Sequence, residues 1–561
     1  MSFKKTAAQF VGSIWFWPLI IAIAAWGAVV SALDPAGDHP GSWAGPGLTV
    51  DEGFNVNQGV RLADRLLAID LAGFRRVDAQ LPDHPPLGRL WIGLCHEFAF
   101  LVWRPVDPAV PYSVTCARTG PATAFAVLVF LVGTCAGRWY GPCGGLCAAV
   151  AVVLMPRVFG HAHLAALETM VNLTTAATVL YLASRWGNDP SEPSTPGNAN
   201  QGIATMSNCR ALGTAAVGGL LFGAALLTKV QAVLLPIPIL LWALWNWKWR
   251  GLALMTVWGL TGLAVFVACW PHLRNAPLDH IREYLGRTTD RAVLYVWYFG
   301  RVIADRDVPW HYPWLMFVTT VPVGLHALGV WGLFGPGVRA WRSRREQLIL
   351  ACTIFPLCVF SIPGVAVYDG ERLFSFVFPL WAILIGRGTS AAMIWFSTRI
   401  SPRIVVAGVA MFFAAQGYGL WAFSPCWLSY YNLTVGGLPG AARLGLEISY
   451  WGDGVTRNLL AATAERVPSG GTVAVLPTLH PGQWNELLLQ CPALKARDIH
   501  LEPWGTEAAA SADYVLMFVR PEYLPEGFRG PLDERQIVVA IRRQGVVLAA
   551  LLKRPPVGRE M

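Results

Sequence analysis

Two adjacent carboxylates, Asp51 and Glu52, begin the polar segment DEGFNVNQGVRLAD (51–64), which follows a long apolar run. A carboxylate can act as a general base by taking the proton of a hydroxyl group while its oxygen attacks. A solvated loop that leads into an amphipathic helix would have the same composition. The residues alone leave both interpretations open, and the location of the segment must decide between them.

Two cationic or titratable side chains lie next to other apolar runs. His84 belongs to PDHPPLGRL (82–90), where paired prolines fix a turn. It is either part of a rigid entry to a surface helix or a donor or positive charge for a phosphate. Lys229 stands alone in LLTKVQAVLLPIP (226–238). A lysine there either extends to the membrane interface or has a functional role.

An arginine and two acids, Arg372, Asp369 and Glu371, occupy VYDGERLFSFVFPL (367–380) at the start of a further apolar run. The arginine fork of planar donors can hold a phosphate. A salt bridge within the loop is the alternative interpretation. The residue types alone are compatible with either.

The segment RVFGHAHLAALETMVN (157–172) contains His161, His163 and Glu168. His161 and Glu168 share a helical face if one helix includes both. Histidine and glutamate are zinc ligands, so the three are candidates for a metal site, although interfacial histidines are the simpler interpretation. Their irregular spacing leaves a need for a divalent metal ion open, and the sequence requires no other cofactor.

Composition indicates that these motifs belong to a membrane protein. Of 561 residues, 54% are hydrophobic and 14% charged, whereas soluble chains carry about 25% charged residues. The 26 Trp residues fit a chain with two membrane interfaces. The net charge of +9 is spread over loops between apolar runs, so we expect no nucleic-acid partner. The 11 Cys residues show no metal-ligand spacing.

Eleven apolar runs are long enough to span a bilayer, and the first (about 10–33) is too long for a cleaved signal peptide. The run 87–103 is not counted, because an unpaired charge such as Glu97 near its middle would cost several kcal/mol. We expect that run to be a surface helix. Nearly every basic loop then faces the cytoplasm. The predicted fold is an all-α polytopic membrane protein with about eleven transmembrane helices and a cytoplasmic N-terminus.

This topology collects the polar residues singled out above on the outward side, together with Arg118 at an outward helix start. They are expected to line one site. The loop 186–209 is rich in Pro, Ser, Asn and Gly, which predicts disorder on the cytoplasmic side. The tail contains strand-like GTVAVLP (471–477) and ADYVLMFV (512–519), and 536–554 predicts a hairpin that turns near Gln544. We therefore expect a small outward α/β domain.

The motifs resemble those of the GT-C membrane glycosyltransferases, most closely the protein O-mannosyltransferase and aminoarabinose-transferase group, which uses polyprenyl-phosphate sugars. The shared features are DE in the first outward loop, HPPLG before a helix, ARTGPA (117–122), GHAHLAALETMVN, LLTKVQAVLLP and YDGERLFSFVFP. The similarity covers about residues 10–425, and YWGDG (450–454) in the tail matches less well. Two positions depart from the family pattern: Glu168, where many relatives carry Asp, and His84, where some carry Lys.

The resemblance implies a role for each candidate residue. Asp51 would be the general base, and Glu52 would position the acceptor or a basic partner. The substrate and its lipid phosphate would be bound by His84, Arg118, Lys229, Arg372, His161 and Glu168. A single inverting displacement would transfer the sugar, and the lipid carrier would make a nucleotide unnecessary.

The expected activity is glycosyl transfer from a polyprenyl-phosphate sugar donor to a hydroxyl of a protein, lipid or glycan. Residues 1–424 would form the membrane domain with a catalytic outward loop at 34–117, and 425–561 the outward domain. A bacterial plasma membrane is the expected location, with membrane lipids as further partners. The alternative is a polytopic transporter or an export component. Transporters place charges near the midplane and show internal repeats, whereas these charges lie at outward helix ends.

Overall fold

The computed structural model describes residues 14–187, 208–274, 276–289, 292–336, 343–480, 482–530 and 532–554. Most of the loop for which disorder is predicted, namely 188–207, lies outside these ranges. The same is true of the first residues of the run 10–33.

Helices form most of the described chain before residue 424. The first nine are α1 (Phe16–Val30), α2 (Val50–Leu67), α3 (Leu71–Asp78), α4 (Pro86–Val102), α5 (Val114–Ala117), α6 (Thr119–Val153), α7 (Pro156–His161), α8 (Glu168–Trp186) and α9 (Asn208–Leu226). The next eight are α10 (Pro236–Cys269), α11 (Pro277–Thr289), α12 (Tyr312–Thr319), α13 (Val323–Phe334), α14 (Arg344–Phe360), α15 (Val377–Ser397), α16 (Pro402–Gln416) and α17 (Tyr418–Phe423). A short hairpin of β1 (Tyr295–Tyr298) and β2 (Arg301–Ala304) precedes α12.

Two of the longest helices fold back on themselves. α6 breaks at Gly141, whose φ of 84° suits glycine because it has no Cβ. The two halves then lie side by side, since a Cβ on Gly145 would be 2.6 Å from the carbonyl oxygen of Gly133. α10 breaks in the same way at Lys248, where φ is 51°. Each of these helices therefore supplies two adjacent apolar segments.

Five described helices are long and apolar enough to cross a membrane, or six if the bent pair α12 and α13 counts as one crossing. Together with the composition, they make this chain an integral membrane protein. Two of the five, Val114–Val153 and Val230–Cys269, contain 40 residues each, whereas one crossing needs about 20. The predicted count of eleven spans is not reached by this measure and stays a prediction. α4, predicted to lie on the membrane surface, is not among the five.

Several arginine residues predicted to face the cytoplasm contact an aromatic ring or a carboxylate. The guanidinium carbon of Arg138 is 4.3 Å from the ring centre of Trp15. Arg345 lies over Trp139 at 4.9 Å, and Arg387 pairs with a carboxylate at 3.3 Å. The alternation of sides predicted from loop charge stays a prediction.

A five-stranded sheet follows the helices. Its strands are β3 (Thr472–Leu476), β4 (His500–Pro503), β5 (Tyr514–Phe518), β6 (Ile537–Arg543) and β7 (Val546–Lys553), in the spatial order β4-β3-β5-β7-β6. β3 is parallel to β4 and β5, and β7 is antiparallel to β5 and β6. The predicted strands and hairpin are confirmed. The hairpin turns at Gln544 and Gly545, which both have positive φ, as a type I′ turn requires.

Helices α18 (Gly437–Arg443), α19 (Arg457–Arg466), α20 (Gly482–Gln490), α21 (Pro492–Lys495) and α22 (Glu507–Ala510) accompany the sheet. The chain between α17 and α19 packs into the same apolar core as the membrane helices, through residues such as Trp427, Tyr431 and Leu438. The predicted boundary at residue 424 therefore falls within continuous packing. The division into two domains stays a prediction.

Candidate functional site

Asp51 and Glu52 lie in the first turn of α2 and point to different surroundings. Successive helical residues are about 100° apart, so only one of the two can face the protein interior here. The Glu52 carboxylate turns back and accepts hydrogen bonds from the Thr49 backbone N–H at 2.9 Å and from the Thr49 hydroxyl at 3.0 Å. This reciprocal contact fixes the start of α2. Asp51 is left on the adjacent face, where its side chain is 34% exposed.

Glu52 and Arg118 form a fully buried pair. The arginine Nε and one terminal nitrogen each donate to Glu52 at 2.7 Å. The other donations go to the carbonyl oxygens of Leu33, Pro46 and Gly47 at 2.7–2.9 Å. All five N–H groups of a guanidinium are thus used. The structure gives Arg118 no donor for a phosphate and makes Glu52 the partner that positions it.

Arg372 lies at the centre of the polar cluster and contacts three carboxylates. Its Nε donates to Glu168 at 2.9 Å and one terminal nitrogen donates to Asp369 at 2.8 Å. The other terminal nitrogen donates to Asp51. The turn before Arg372 has positive φ at Asp369 and Gly370 (56° and 63°), residue types that tolerate this conformation. Three of the five donors are used, so two remain within the described chain.

Lys229 extends the cluster in the direction of the membrane helices. Its ammonium group donates to Glu168 at 2.5 Å, and its side chain is only 5% exposed. Burial lowers the pKa of Lys229, and the adjacent Glu168 carboxylate counters that shift. One of the three ammonium donors is used here. Four loops and helices distant in sequence therefore meet through Asp51, Glu168, Lys229 and Arg372.

Asp51 is the most exposed carboxylate of the cluster. The Glu168 side chain is 1% exposed and that of Asp369 is 4% exposed, and each lies between two cations. Burial raises the pKa of Asp51, while Arg372 counters the shift. A raised pKa makes a carboxylate a better proton acceptor at neutral pH. Among these three acids, Asp51 is the one that a substrate can reach.

His84 lies in the same electrostatic environment, which disfavours its charged form. Burial lowers its pKa to about 3. The charges of Arg89, Lys229 and Arg372 also lower this pKa, whereas Asp83 raises it. Its Nε2 is 4.0 Å from Asp83, and its Nδ1 has no hydrogen-bond partner within the described chain. A neutral imidazole can donate or accept one hydrogen bond per nitrogen. Of the two roles predicted for His84, this environment favours the hydrogen-bond donor, and both stay predictions.

A second ion pair lies behind the cluster and includes His161. Arg157 donates to Glu371 at 2.6 Å, and Nε2 of His161 is 3.8 Å from the same carboxylate. His163 is separate from them: its Nδ1 is 2.8 Å from the Phe159 carbonyl oxygen. Within the described ranges, no three His, Cys, Asp or Glu side chains are arranged to hold a metal ion. The candidate ligands His161, His163 and Glu168 thus do not form a metal site.

Two residues of the C-terminal part complete the cluster and were not found from the sequence. The ring of Trp451 lies 4.1 Å from the Arg372 guanidinium, within the range of a cation–π contact. Arg520 donates to the second oxygen of Asp369 at 2.9 Å. The tryptophan belongs to YWGDG, which the sequence offered only as a weak match. Nothing in the sequence around Arg520 indicated a contact with residue 369.

An apolar groove begins at the residues that flank Lys229. It has a volume of about 250 Å³ and is lined by Phe222, Leu226, Val230, Val233, Pro236, Leu263, Phe266, Ile281, Tyr284 and Leu285. Both Leu226 and Val230 lie within one helical turn of Lys229 in sequence. Lys229 itself does not line the groove, and its ammonium group contacts Glu168.

The fold is that of a helical membrane protein with a small C-terminal sheet. Several solved structures are similar to it in fold. No protein-family model and no curated protein matches the chain. The structure resembles ArnT from Cupriavidus metallidurans in the apo state, with 14% identity, 98% of each chain covered and a TM-score of 0.47. For the same protein bound to undecaprenyl phosphate, the identity is 14%, the coverage 96% and 98%, and the TM-score 0.44.

The oligosaccharyltransferase AglB from Archaeoglobus fulgidus, in complex with an inhibitory peptide and a dolichol-phosphate, is also similar. The identity is 12% and the TM-score 0.46, and the match covers 90% of this chain and 69% of that one. The glycosyltransferase resemblance stated from the motifs thus recurs as a likeness in structure. At these TM-scores the likeness assigns no activity. The function proposed next rests on the side chains.

Proposed function

We propose that this protein is a membrane glycosyltransferase that moves a sugar from a polyprenyl-phosphate donor to an acceptor hydroxyl, with Asp51 as general base. One observation carries the proposal. An exposed carboxylate shares Arg372 with a buried Glu168–Lys229 pair, and both cations keep donors unused within the described chain. A proton acceptor and a phosphate-binding pair therefore lie side by side. The apolar groove that Leu226 and Val230 help to line is the proposed place for a lipid chain.

The reaction is a single displacement at the anomeric carbon of the donor. The acceptor oxygen forms a bond to that carbon while the bond from the carbon to the phosphate oxygen breaks. The acceptor proton moves to the carboxylate of Asp51. The electron pair of the broken bond stays on the polyprenyl phosphate, which gains a second negative charge. Attack from the side opposite the phosphate inverts the configuration of the sugar.

Lys229 and Arg372 stabilise the charge that develops on the leaving phosphate. Fixed cations in a site with little water lower a barrier more than solvated ones do. Burial alone would favour loss of the lysine proton, and Glu168 opposes that loss. The remaining donors of Arg372 form a planar fork that suits phosphate oxygens. Glu168 is thus proposed to keep Lys229 charged and to hold both cations in place rather than to contact the acceptor.

The other candidate residues have supporting roles in this proposal. His84 donates one hydrogen bond to the phosphate as a neutral imidazole. Glu52 and Arg118 fix the loop that leads into α2, because the arginine ties three backbone carbonyl groups to the first helical turn. His161, with Arg157 and Glu371, supports the turn that presents Arg372. We place the site on the outward face of a bacterial plasma membrane, with the chain after residue 424 on the same side.

The proposal is tested with Asp51→Asn in the purified full-length protein reconstituted in lipid. The substrates are a labelled polyprenyl-phosphate sugar and a membrane extract as the source of acceptors, and release of polyprenyl phosphate is measured. We expect a loss of about 100- to 10,000-fold, the usual effect of removing a general base. Asp64→Asn on the same helix is the matched control, because Asp64 is exposed and lies outside the cluster.

Three outcomes would contradict the proposal in different ways. Transfer by Asp51→Asn at the wild-type rate would remove Asp51 as the base. A wild-type protein that moves solute across the bilayer but releases no polyprenyl phosphate would be a transporter. A product that retains the configuration of the donor sugar would exclude the single displacement.

A further inference from the structure

A second cavity lies between α2 and α20, beside the proposed reaction site. It has a volume of about 380 Å³, within the range of sites for small molecules. Polar side chains supply much of its lining, among them Asn57, Gln58, Gln80, Tyr112, Gln483 and Glu486. One wall thus comes from the helix that carries Asp51 and the opposite wall from the C-terminal part. We call this cavity the amide cleft.

The amide cleft adjoins the reaction site at two points. Val50 and Phe54 line it, and they lie immediately before Asp51 and about one turn after it on α2. On the opposite wall, a Cβ on Gly452 would lie 3.4 Å from the amide nitrogen of Gln483. The next residue along, Trp451, packs on the Arg372 guanidinium. A ligand in the cleft would therefore have one end close to the exposed carboxylate.

Several polar groups of the cleft are available to a ligand. Gln483 lines the cleft and is only 6% exposed, and its Oε1 is buried without a hydrogen-bond partner within the described chain, so the side chain must turn to offer that oxygen to a ligand. A buried amide oxygen without a partner is costly, so a hydrogen bond from a ligand donor there would be favourable. Arg61 is exposed, and the described residues provide no partner for its guanidinium. The Tyr112 hydroxyl donates to Glu486 at 2.7 Å, which orients that carboxylate in the wall.

The lining favours a ligand rich in hydroxyl groups. Side-chain amides both donate and accept, as hydroxyl groups do, and Asn57, Gln80 and Gln483 present such amides from different sides. Phe54 is partly exposed and meets the His480 ring edge to face, which adds an apolar surface for a sugar ring. An extended peptide is bound by free main-chain groups of a strand edge. The residues that line the described cleft include no strand edge: they come from α2, from α20 and from the loop residues Leu48, Thr49, Gln80, Leu81 and Tyr112.

We propose that the amide cleft binds a saccharide as the acceptor, with one of its hydroxyl groups presented to Asp51. The inference rests on the proposed function for the transfer step and adds the chemical class of the acceptor. It also gives the C-terminal part a role in the selection of that acceptor, through Gln483 and Glu486. Saccharide binding itself does not require the donor, so it can be measured separately.

The first experiment measures binding without a donor. Full-length protein in a sugar-free amphipol is titrated with the methyl glycosides of mannose, glucose, galactose and N-acetylglucosamine. We expect at least one to bind, and Gln483→Leu and Arg61→Ala to weaken its binding about 3- to 10-fold, as expected for one hydrogen bond. Asn485→Leu on the exposed face of α20 is the matched control and should bind like the wild type. Failure of every glycoside to bind, or equal binding by Gln483→Leu, would overturn the inference.

The second experiment measures transfer with a labelled polyprenyl-phosphate sugar. The bound glycoside is compared with a mixture of Ser- and Thr-containing peptides as acceptors. We expect the glycoside to be glycosylated, and Gln483→Leu to raise KM for the glycoside without the same change in KM for the donor. Transfer to peptides but not to any glycoside would overturn the inference and leave the enzymatic function intact. Binding of a glycoside without release of polyprenyl phosphate would instead contradict the proposed function.

Discussion

Glu168→Gln offers a sharp test of how the cluster works, because one carboxylate oxygen serves both cations. Its Oε1 accepts from Lys229 at 2.5 Å and from Arg372 at 2.9 Å. Glutamine has nearly the same shape and keeps one acceptor oxygen, so the substitution removes mainly a charge. Arg372 would then keep Asp51 and Asp369 as counter-charges, and Lys229 would lose the charge of the carboxylate that it contacts.

The expected effect is a shift of the pH–rate profile to lower pH on both sides. In the wild type, Glu168 raises the pKa of Lys229, whereas burial and Arg372 lower it. Removal of the Glu168 charge therefore lowers the pKa of Lys229, and the alkaline limb of the profile moves to lower pH. Glu168 also raises the pKa of Asp51, so the acid limb moves down as well. A single opposite charge at this distance shifts a pKa by about 1–3 units. We expect a displacement of the alkaline limb by at least about one pH unit, equivalent to about 1.4 kcal/mol.

The assay is kcat/KM for the polyprenyl-phosphate donor between about pH 4 and 10, because this ratio reports the pKa values of the free enzyme. Glu52→Gln is the matched control, since Glu52 is also a buried glutamate paired with a cation but does not contact the cluster. It should reduce the amount of folded protein and leave both limbs in place. An alkaline limb that stays in place in Glu168→Gln would refute the role of Lys229 as a charged group. A profile that narrows instead of moving would refute the coupling to Asp51.

Four further predictions follow from the same geometry. Arg372→Lys should lower kcat/KM by about 100-fold or more, measured by polyprenyl phosphate release, since an ammonium group cannot serve three carboxylates and a phosphate; a rate near that of the wild type would contradict this. Trp451→Ala should lower it about 2- to 30-fold, the value of a cation–π contact of about 0.5–2 kcal/mol, and an unchanged rate would contradict the contact. Arg118→Met should reduce stability by about 3–5 kcal/mol in thermal unfolding, and an unaltered melting temperature would show that the pair is not structural. A reporter fused after Arg345 should lie in the cytoplasm, and an outward reporter would contradict the predicted topology.

Much of the cluster was predictable because of how loops alternate across a membrane. Asp51, Lys229, Glu168 and Arg372 are spread over more than 300 residues, yet each lies at the end of an apolar run. Once loop charge fixes which ends share a side, residues far apart in sequence become candidates for one site. The strands of the tail were predictable for a different reason, because short runs of β-branched and apolar residues are bounded there by turn residues.

The remaining features depend on directions that the sequence does not encode. Asp51 and Glu52 are neighbours of the same charge, and only the packing of α2 shows that one faces Arg118 and the other Arg372. The span count from apolar runs could not anticipate that Gly141 and Lys248 reverse the chain within continuous helical hydrogen bonding. Trp451 contacts Arg372, but the two residues are far apart in sequence and no local pattern in either segment predicts the contact.

The charge balance of the cluster indicates why the C-terminal part belongs to the site. Three carboxylates, Asp51, Glu168 and Asp369, surround the two cations Arg372 and Lys229, which leaves an excess of negative charge that would oppose an anionic donor. Arg520 pairs with Asp369 and offsets part of that excess, because it also donates to Glu522 at 2.6 Å. Because Arg520 comes from the C-terminal part, the membrane helices alone would present the donor phosphate with a net negative site. The C-terminal part is therefore an electrostatic component of the proposed phosphate site as well as one wall of the amide cleft.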